Sequence, residues 1–194
     1  MPQHKPPPPP KTIPTAIALQ EAGIKFQRRK ASSFLEVTYK QGLMEMPRVT
    51  VSHYTNSLFR YFIALEHYDP KCGSHFTSYC IFMDSLINTR KDVKLLSQSG
   101  IIEHVLGSDK EVAILFNNLC RGVTWDFNNC YLAEIFKGVN KLSRPGTENR
   151  QTRAVSSIFT PVNPELTEVK NEIHKGYHSP RTCQIQNFCG NNYI

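Results

Sequence analysis

Phe76 to Leu142 is the stretch of the chain that decides its fold. It begins FTSYCIFMDSLINTRKDVKLLSQSGIIEHVLGSDKEVAILFNNLC (residues 76–120) and ends NNCYLAEIFKGVNKL (residues 128–142). Apolar residues recur there at the three- and four-residue spacing of one helix face, first at Tyr79, Phe82, Met83, Leu86 and Ile87. Ser108 and Glu111 have the spacing of a capping box, and Gly100 can end the helix before it. The stretch therefore predicts four short helices.

The residues upstream combine helical and extended patterns. Thr15–Ala22 predicts a short helix that ends at Gly23, and residues 55–67 predict a longer one with a wide apolar face. Between them, residues 34–39 alternate with period two, and Gln41-Gly42 supplies a turn before Leu43, Met44 and Met46. Val49–Val51 is expected to add a third strand, and Lys25–Arg29 to pair on the other edge. The fold class predicted is α+β, mainly helical, with a small antiparallel hairpin or three-stranded sheet.

Composition divides the chain into three parts. Residues 1–12 contain Pro6 to Pro10 in one run and predict a proline-rich linker in the polyproline II form. Residues 13–142 carry the hairpin and about five helices. From Ser143 the sequence SRPGTENRQTRAVSS has few large apolar residues, so residues 143–194 are expected to be a divergent, largely disordered tail.

The basic charge of the chain is a property of its ends. The net charge is +7, of which residues 1–31 carry +5, residues 143–194 carry +2 and residues 32–142 carry none. A nucleic-acid binder more often has a basic stripe on its folded part, so no nucleic-acid partner is expected. Weak contact with an anionic membrane surface through Lys25 to Lys30 is one alternative.

Cysteine usage and hydropathy predict where the chain resides. None of the six cysteines forms a C-x-x-C pair, and free thiols are expected. No apolar run reaches the roughly 20 residues of a membrane-spanning helix, and the N-terminus MPQHKPPPPPK has no signal-peptide segment. A cytoplasmic or peripheral location is expected.

The helical stretch, together with residues 13–66 (IPTAIALQEAGIKFQRRKASSFLEVTYKQGLMEMPRVTVSHYTNSLFRYFIALE), closely resembles the plant family of domain of unknown function 247. The resemblance covers roughly residues 12–142. It implies that the chain corresponds to the C-terminal part of the family domain. It also implies a family normally tethered to the plasma membrane by a C-terminal helix, which this chain lacks. Two explanations stay open for the end of the resemblance: a truncated or alternatively spliced product, or a reading frame that continues into unrelated sequence.

The resemblance implies a plant protein of poorly defined biochemistry and transfers no catalytic residues. We expect a non-catalytic protein-interaction or signalling module with an unidentified protein partner. The alternatives are an enzyme of unknown reaction, or a basic adaptor for a membrane surface or nucleic acid. The partner and the oligomeric state are not specified by the sequence.

Three groups of residues have a pattern that can carry chemistry. Glu103-His104 lies near Asp109, which is compatible with acid–base chemistry, although a solvated helix end is the simpler interpretation. The tail holds two histidines and two cysteines with non-standard zinc spacing, His174, His178, Cys183 and Cys189. Arg29 lies three residues before Ser32, as in sites of basophilic kinases, although a strand edge beside a turn is simpler. The sequence assigns no catalytic, cofactor-binding or metal-binding residue, and no cofactor.

Overall fold

Local signals in the sequence set most element boundaries in the computed structural model, which describes residues 12–142. Helices and strands alternate along this part of the chain: α1 Ala16–Glu21, β1 Lys25–Arg28, β2 Thr38–Lys40, β3 Leu43–Met46, β4 Val49–Val51, α2 Thr55–Tyr68, α3 His75–Leu86, α4 Arg90–Gln98, β5 Ile102–His104, α5 Asp109–Leu119 and α6 Ala133–Leu142. Short 3-10 turns lie at Pro70–Cys72 and Phe127–Asn129. The α+β, mainly helical prediction is confirmed.

The first sheet has the strand order β1-β3-β2 and is mixed. β2 and β3 form the expected antiparallel hairpin, because Gln41 and Gly42 both adopt positive φ, 49° and 80°, as a type I′ turn requires. The expected pairing of Lys25–Arg29 on the other edge is also confirmed, and β1 runs parallel to β3. Residues 34–37, predicted as strand, form a turn instead. There the Glu36 carboxylate accepts the Ser32 hydroxyl and the Ser33 N–H, and such local bonds compete with a strand.

A second sheet joins two distant parts of the chain. β4 pairs in parallel with β5, with Val51 opposite His104. The prediction that Val49–Val51 adds a third strand to the hairpin is therefore wrong. Both valines are fully buried, and a parallel partner lies beyond a long crossover that the local pattern does not reveal. β5 itself was not predicted.

The core is one continuous cluster that reaches from α1 to α6. Phe82 of α3 and Phe116 of α5 are both fully buried in it. At one end of α3 the rings of Phe34, Phe59, Phe62, Phe76 and Tyr79 pack together. Phe34 stands in the turn of residues 34–37, so this turn also contributes to the core.

The two ends of the described chain meet. The Asn140 Nδ2 donates to the Thr12 carbonyl oxygen at 2.9 Å. Near the same end, the backbone N–H of Ile17 in α1 donates to the Asp92 carboxylate in α4 at 3.0 Å. These contacts join α6 to the segment before α1, and α1 to α4.

The cysteines differ in state. Cys80, Cys120 and Cys130 are free thiols, as expected. Cys72 is disulfide-bonded, so the expectation of free thiols is wrong at this position. Within residues 12–142, no helix has the length and apolarity needed to cross a bilayer.

Candidate functional site

His104 and Asp109 come together where β5 passes into α5. The His104 Nε2 lies 2.9 Å from the Asp109 Oδ1, and its Nδ1 lies 3.2 Å from the Leu106 carbonyl oxygen. The sequence predicted proximity of Glu103, His104 and Asp109, and the structure brings the last two together. Glu103 instead forms an ion pair with Arg48. The simpler interpretation of Glu103-His104 as a helix end is wrong, because both residues belong to β5.

The imidazole of His104 is fully occupied by these two contacts. Both ring nitrogens of His104 therefore have hydrogen-bond partners within the protein. This arrangement joins β5 to the start of α5 and fixes the loop between them.

Asp84 is a second group with unusual chemistry. It lies on α3 among apolar residues, and burial raises the pKa of its carboxyl to about 6, against the opposing charge of Arg121. Burial also raises the pKa of the Cys80 thiol well above its usual value, and the Cys120 thiol that hydrogen-bonds to it adds to the rise. A carboxyl that titrates near neutral pH can exchange protons with a ligand. The available signal was a single charge in the apolar run YCIFMDSLI, and sequence reasoning missed it.

Two buried carboxylates, in contrast to the half-buried Asp84, accept hydrogen bonds from the backbone. Glu66 of α2 accepts the N–H groups of Phe76 and Thr77 at 2.8 and 2.7 Å, and so satisfies the first turn of α3. Burial raises the pKa of Glu66, and hydrogen bonds from Thr77 and Phe76 oppose the rise. Asp92 accepts from Thr89 and Ile17 and caps α4. These contacts occupy both groups in holding helices.

Three large apolar side chains are exposed on adjacent elements: Tyr54 at 81%, Val105 at 64% and Ile114 at 49%. Because β4 and β5 are parallel, their carboxyl ends meet, and the Val105 N–H donates to the Val51 carbonyl oxygen at 3.0 Å. Tyr54 follows β4 by three residues, at the start of α2. Ile114 lies on α5.

α2 and α5 are tied to each other by Arg60, whose Nη2 donates to the Asn118 carbonyl oxygen at 3.0 Å. Lys110 lies one turn before Ile114 on α5, and Arg121 follows the end of that helix; both are exposed. We call the surface formed by Tyr54, Val105, Lys110, Ile114 and Arg121 the α2–α5 face. This face was not predicted from the sequence.

Of the remaining residues considered from the sequence, some lie outside the described range and others lie within it. The tail histidines and cysteines considered for zinc lie outside the described residues, as do the linker before Thr12 and the tail from residue 143. Within residues 12–142, no three histidine, cysteine or carboxylate side chains are grouped so as to hold a metal ion. Three basic residues of the segment Lys25 to Lys30 are exposed on or just after edge strand β1: Lys25, Arg28 and Lys30.

Comparison with known proteins gives one family. The model of domain of unknown function 247, described as plant protein of unknown function, matches residues 1–174. The match extends beyond both ends of the range 12–142 on which the sequence resemblance was identified. The assignment to the C-terminal part of the family domain stays a prediction.

Two Arabidopsis thaliana proteins are similar to the chain. UPF0481 protein At3g47200 is 32% identical over 135 residues, which are 68% of this chain and 28% of that protein. Putative UPF0481 protein At3g02645 is 28% identical over 114 residues, 58% of this chain and 22% of that protein. The chain thus spans less than a third of the length of these curated relatives. No solved structure matches it.

Proposed function

Because the chain belongs to the plant family of domain of unknown function 247, whose description names no activity, we propose its function from its surface. It is a non-catalytic protein-interaction module. Its α2–α5 face binds an acidic, amphipathic segment of a partner protein. The observation that carries this proposal is the exposure of three large apolar side chains on elements that are hydrogen-bonded to one another.

The apolar part of the α2–α5 face supplies the contact area. Large exposed aliphatic and aromatic side chains contribute little to the stability of an isolated domain, yet they become the buried centre of an interface. Tyr54 in particular offers a large ring with few rotatable bonds and a polar hydroxyl, which suits it to an anchoring role. The scaffold beneath is held by the β4–β5 ladder and the Arg60–Asn118 bond.

The charges on the α2–α5 face favour a partner segment with negative charge. On α5, the Asp109 carboxylate is bound to His104 and the Glu111 carboxylate accepts the Ser108 hydroxyl. Lys110 and Arg121 remain exposed on either side of Ile114. A segment that places apolar residues against Ile114 and acidic residues beside these cations is complementary to it.

Peptide display against the immobilised full chain tests the proposal. We expect enrichment of sequences that combine apolar residues at helical spacing with flanking Asp or Glu. Binding of the selected peptides should weaken at least tenfold in the variant Ile114→Asp. Gln20→Asp, which adds the same charge at an exposed position of α1, should leave it unchanged. Selected peptides that bind equally to both variants would show that this face is not the docking site.

A second candidate function is supported by the exposed bases on β1. Lys25, Arg28 and Lys30 can attract an anionic membrane surface, which agrees with the membrane tethering that the family resemblance implies. Such attraction is electrostatic and falls with salt. Sedimentation with phosphatidylserine vesicles at low and high salt tests this second function. Membrane binding through β1 should weaken at high salt and should not change in Ile114→Asp, whereas peptide binding through the α2–α5 face depends on Ile114.

A further inference from the structure

The segment Arg28–Ser32 has the charge pattern of a kinase recognition sequence. Arg28, Arg29 and Lys30 precede Ser32 by four, three and two residues. Kinases discriminate among substrates by such charge patterns, since cations upstream of the serine are complementary to acidic side chains on the kinase. Sequence alone left a strand edge beside a turn as the simpler interpretation.

The structure places Ser32 where an enzyme can reach it. β1 ends at Arg28, and residues 29–37 form neither helix nor strand. Ser32 is exposed, and so are Arg28 and Lys30, while Arg29 is half-buried. An exposed, irregular segment next to an edge strand is accessible for modification.

The Ser32 hydroxyl contributes one of the hydrogen bonds of a turn. Its Oγ donates to the Glu36 Oε1 at 2.6 Å, and the Ser33 N–H donates to the same oxygen at 3.0 Å. The Arg29 Nη2 lies 3.9 Å from the other Glu36 oxygen, and its Nη1 donates to Thr38 at 3.3 Å. The Ser32 hydrogen bond lowers the pKa of Glu36, an effect that its slight burial opposes, so this carboxylate is ionised at neutral pH.

This turn carries a core residue. Phe34 is buried, with its ring centroid 5.2 Å from that of Tyr79 and 6.2 Å from that of Phe59. The Phe34 ring therefore stands on a turn to which the half-buried Glu36 carboxylate contributes two hydrogen bonds. The turn is also held by the bond from the Leu35 N–H to the Ser33 Oγ and by the bond from the Tyr131 hydroxyl to the Leu35 carbonyl oxygen.

We propose that Ser32 is a phosphorylation site for a basophilic serine kinase, and that its phosphate opens the turn held by Glu36. In the reaction, the Ser32 Oγ forms a bond to the γ-phosphorus of ATP. The bond from that phosphorus to the bridging oxygen of the β-phosphate breaks, and ADP leaves. The hydroxyl proton passes to the carboxylate base of the kinase. The site is independent of the α2–α5 face.

The phosphate reverses the electrostatics of the turn. The Ser32 oxygen loses its proton and can no longer donate to Glu36. A group of about −2 charge then stands beside an ionised carboxylate, which is repulsive. Arg29, already within reach of Glu36, binds the phosphate instead, because arginine prefers the more highly charged and bidentate partner. The turn loosens, and Phe34 loses part of its fixed packing.

Phosphate transfer to the folded chain tests the first half. The full chain is incubated with ATP and the purified catalytic subunit of a cyclic-AMP-dependent protein kinase, and the modified residue is mapped by mass spectrometry. We expect phosphate on Ser32, loss of this modification in Ser32→Ala, and a rate of phosphorylation at Ser32 at least tenfold lower in Arg29→Ala. The neighbouring control Ser33→Ala should be modified normally. A free peptide of residues 26–36 that is phosphorylated while the folded chain is not would overturn the proposal, as would modification of Ser33 alone.

Thermal unfolding of the modified chain tests the second half. We expect phosphorylation to lower the midpoint by about 2–4 °C in the unsubstituted chain. In Glu36→Gln, where the repelling charge is absent, the phosphate should lower it by less than half as much. An unchanged midpoint in the phosphorylated, unsubstituted chain would show that the phosphate does not open the turn.

Discussion

At the residue scale, the chain keeps one carboxyl group in a position that is unfavourable for its charge. Asp84 lies among the apolar residues of α3, with only the partial compensation of Arg121, and its pKa is raised to about 6. Residues that retain a charge at a cost to stability are candidates for function. Asp84 is therefore the best place in the described chain to look for chemistry beyond binding.

The sign of its pH dependence follows from the raised pKa. Between about pH 4 and pH 6 the folded chain holds a proton on Asp84 that the unfolded chain releases, so the free energy of unfolding decreases as the pH rises through this window. We expect Asp84→Asn to be more stable than the unsubstituted chain at pH 7.5 by about 2 kcal/mol, and to lose this part of the pH dependence. Urea unfolding at pH 4.5 and 7.5 measures both.

Glu134→Gln is the control for Asp84→Asn, because Glu134 is an exposed carboxylate paired with Lys137 at the surface. It should change stability little at either pH. A loss of stability in Asp84→Asn at pH 7.5 would mean that attraction to Arg121 outweighs burial.

Single residues differ in how far the sequence reveals their environment. Phe82 was expected on an apolar helix face from its spacing, and it is fully buried, as is Phe116 of α5. His104 and Asp109 were expected to be near each other, but their hydrogen bond depends on β5, which the sequence did not predict. Tyr54 lies just after β4, where the buried parallel pairing of β4 with β5 ends. No local pattern in the sequence predicts that its side chain is exposed there.

At the element scale, helices in this fold are capped by carboxylates as well as by hydroxyls. Thr15 and Ser108 cap α1 and α5 with bonds along the chain, as the sequence predicted. α3 instead takes its cap from Glu66 in α2, and Asp92 at the start of α4 also receives an N–H from α1. Caps from a neighbouring residue, such as Thr15 and Ser108, can be predicted from the sequence. Contacts from another helix, such as those of Glu66 and Asp92, are tertiary and cannot.

Asp92→Ala should therefore cost more than an ordinary cap. Asp92 is buried and accepts from Ile17, Thr89 and Asn88, so its removal leaves several donors without partners. We expect a loss of about 2–4 kcal/mol. The exposed cap substitution Ser108→Ala, measured by the same urea unfolding, should cost about 1 kcal/mol. Equal losses in the two variants would contradict a cross-chain role for Asp92.

Packing between helices gives a second contrast. The ring centroids of Phe82 in α3 and Phe136 in α6 are 5.8 Å apart. We expect Phe82→Ala to lower the free energy of unfolding by about 3–5 kcal/mol through the cavity it leaves. Ile114→Ala, on the exposed α2–α5 face, should stay within about 0.5 kcal/mol of the unsubstituted chain. If Phe82→Ala cost less than about 1 kcal/mol, the packing of α3 would be looser than its burial indicates.

The hairpin and most helices follow from patterns within some 15 residues, and these were predicted. The pairing of β4 with β5 was not, because the two strands are three residues long and separated by three helices. Strands this short carry too few residues for a periodic signal. The parallel pairing of β1 with β3 was expected only as a pairing, without direction.

At the scale of the whole molecule, one core cluster connects both sheets and all the helices of the described part of the chain. A continuous core favours cooperative unfolding. The organisation into a linker, a partial family domain and a tail stays a prediction from composition. A protein partner was expected from the sequence, but the α2–α5 face was not, since it is built from three separate parts of the chain.

Trp125 provides a test of this cooperativity. It is the single tryptophan of the chain. Its ring centroid lies 5.8 Å from that of Phe136 in α6 and 5.6 Å from that of Phe127. We expect urea transitions followed by tryptophan fluorescence and by far-ultraviolet circular dichroism to have the same midpoint. A fluorescence transition at clearly lower urea would show that the α6 region unfolds separately from the remaining helices.

The bond between Asn140 and Thr12 has a consequence for how this fold can be carried in a longer polypeptide. The two ends of the described range, residues 12–142, lie side by side, so a longer polypeptide could enter and leave this fold at nearly the same point. A domain with this geometry can be spliced into a surface loop without forcing its flanks apart.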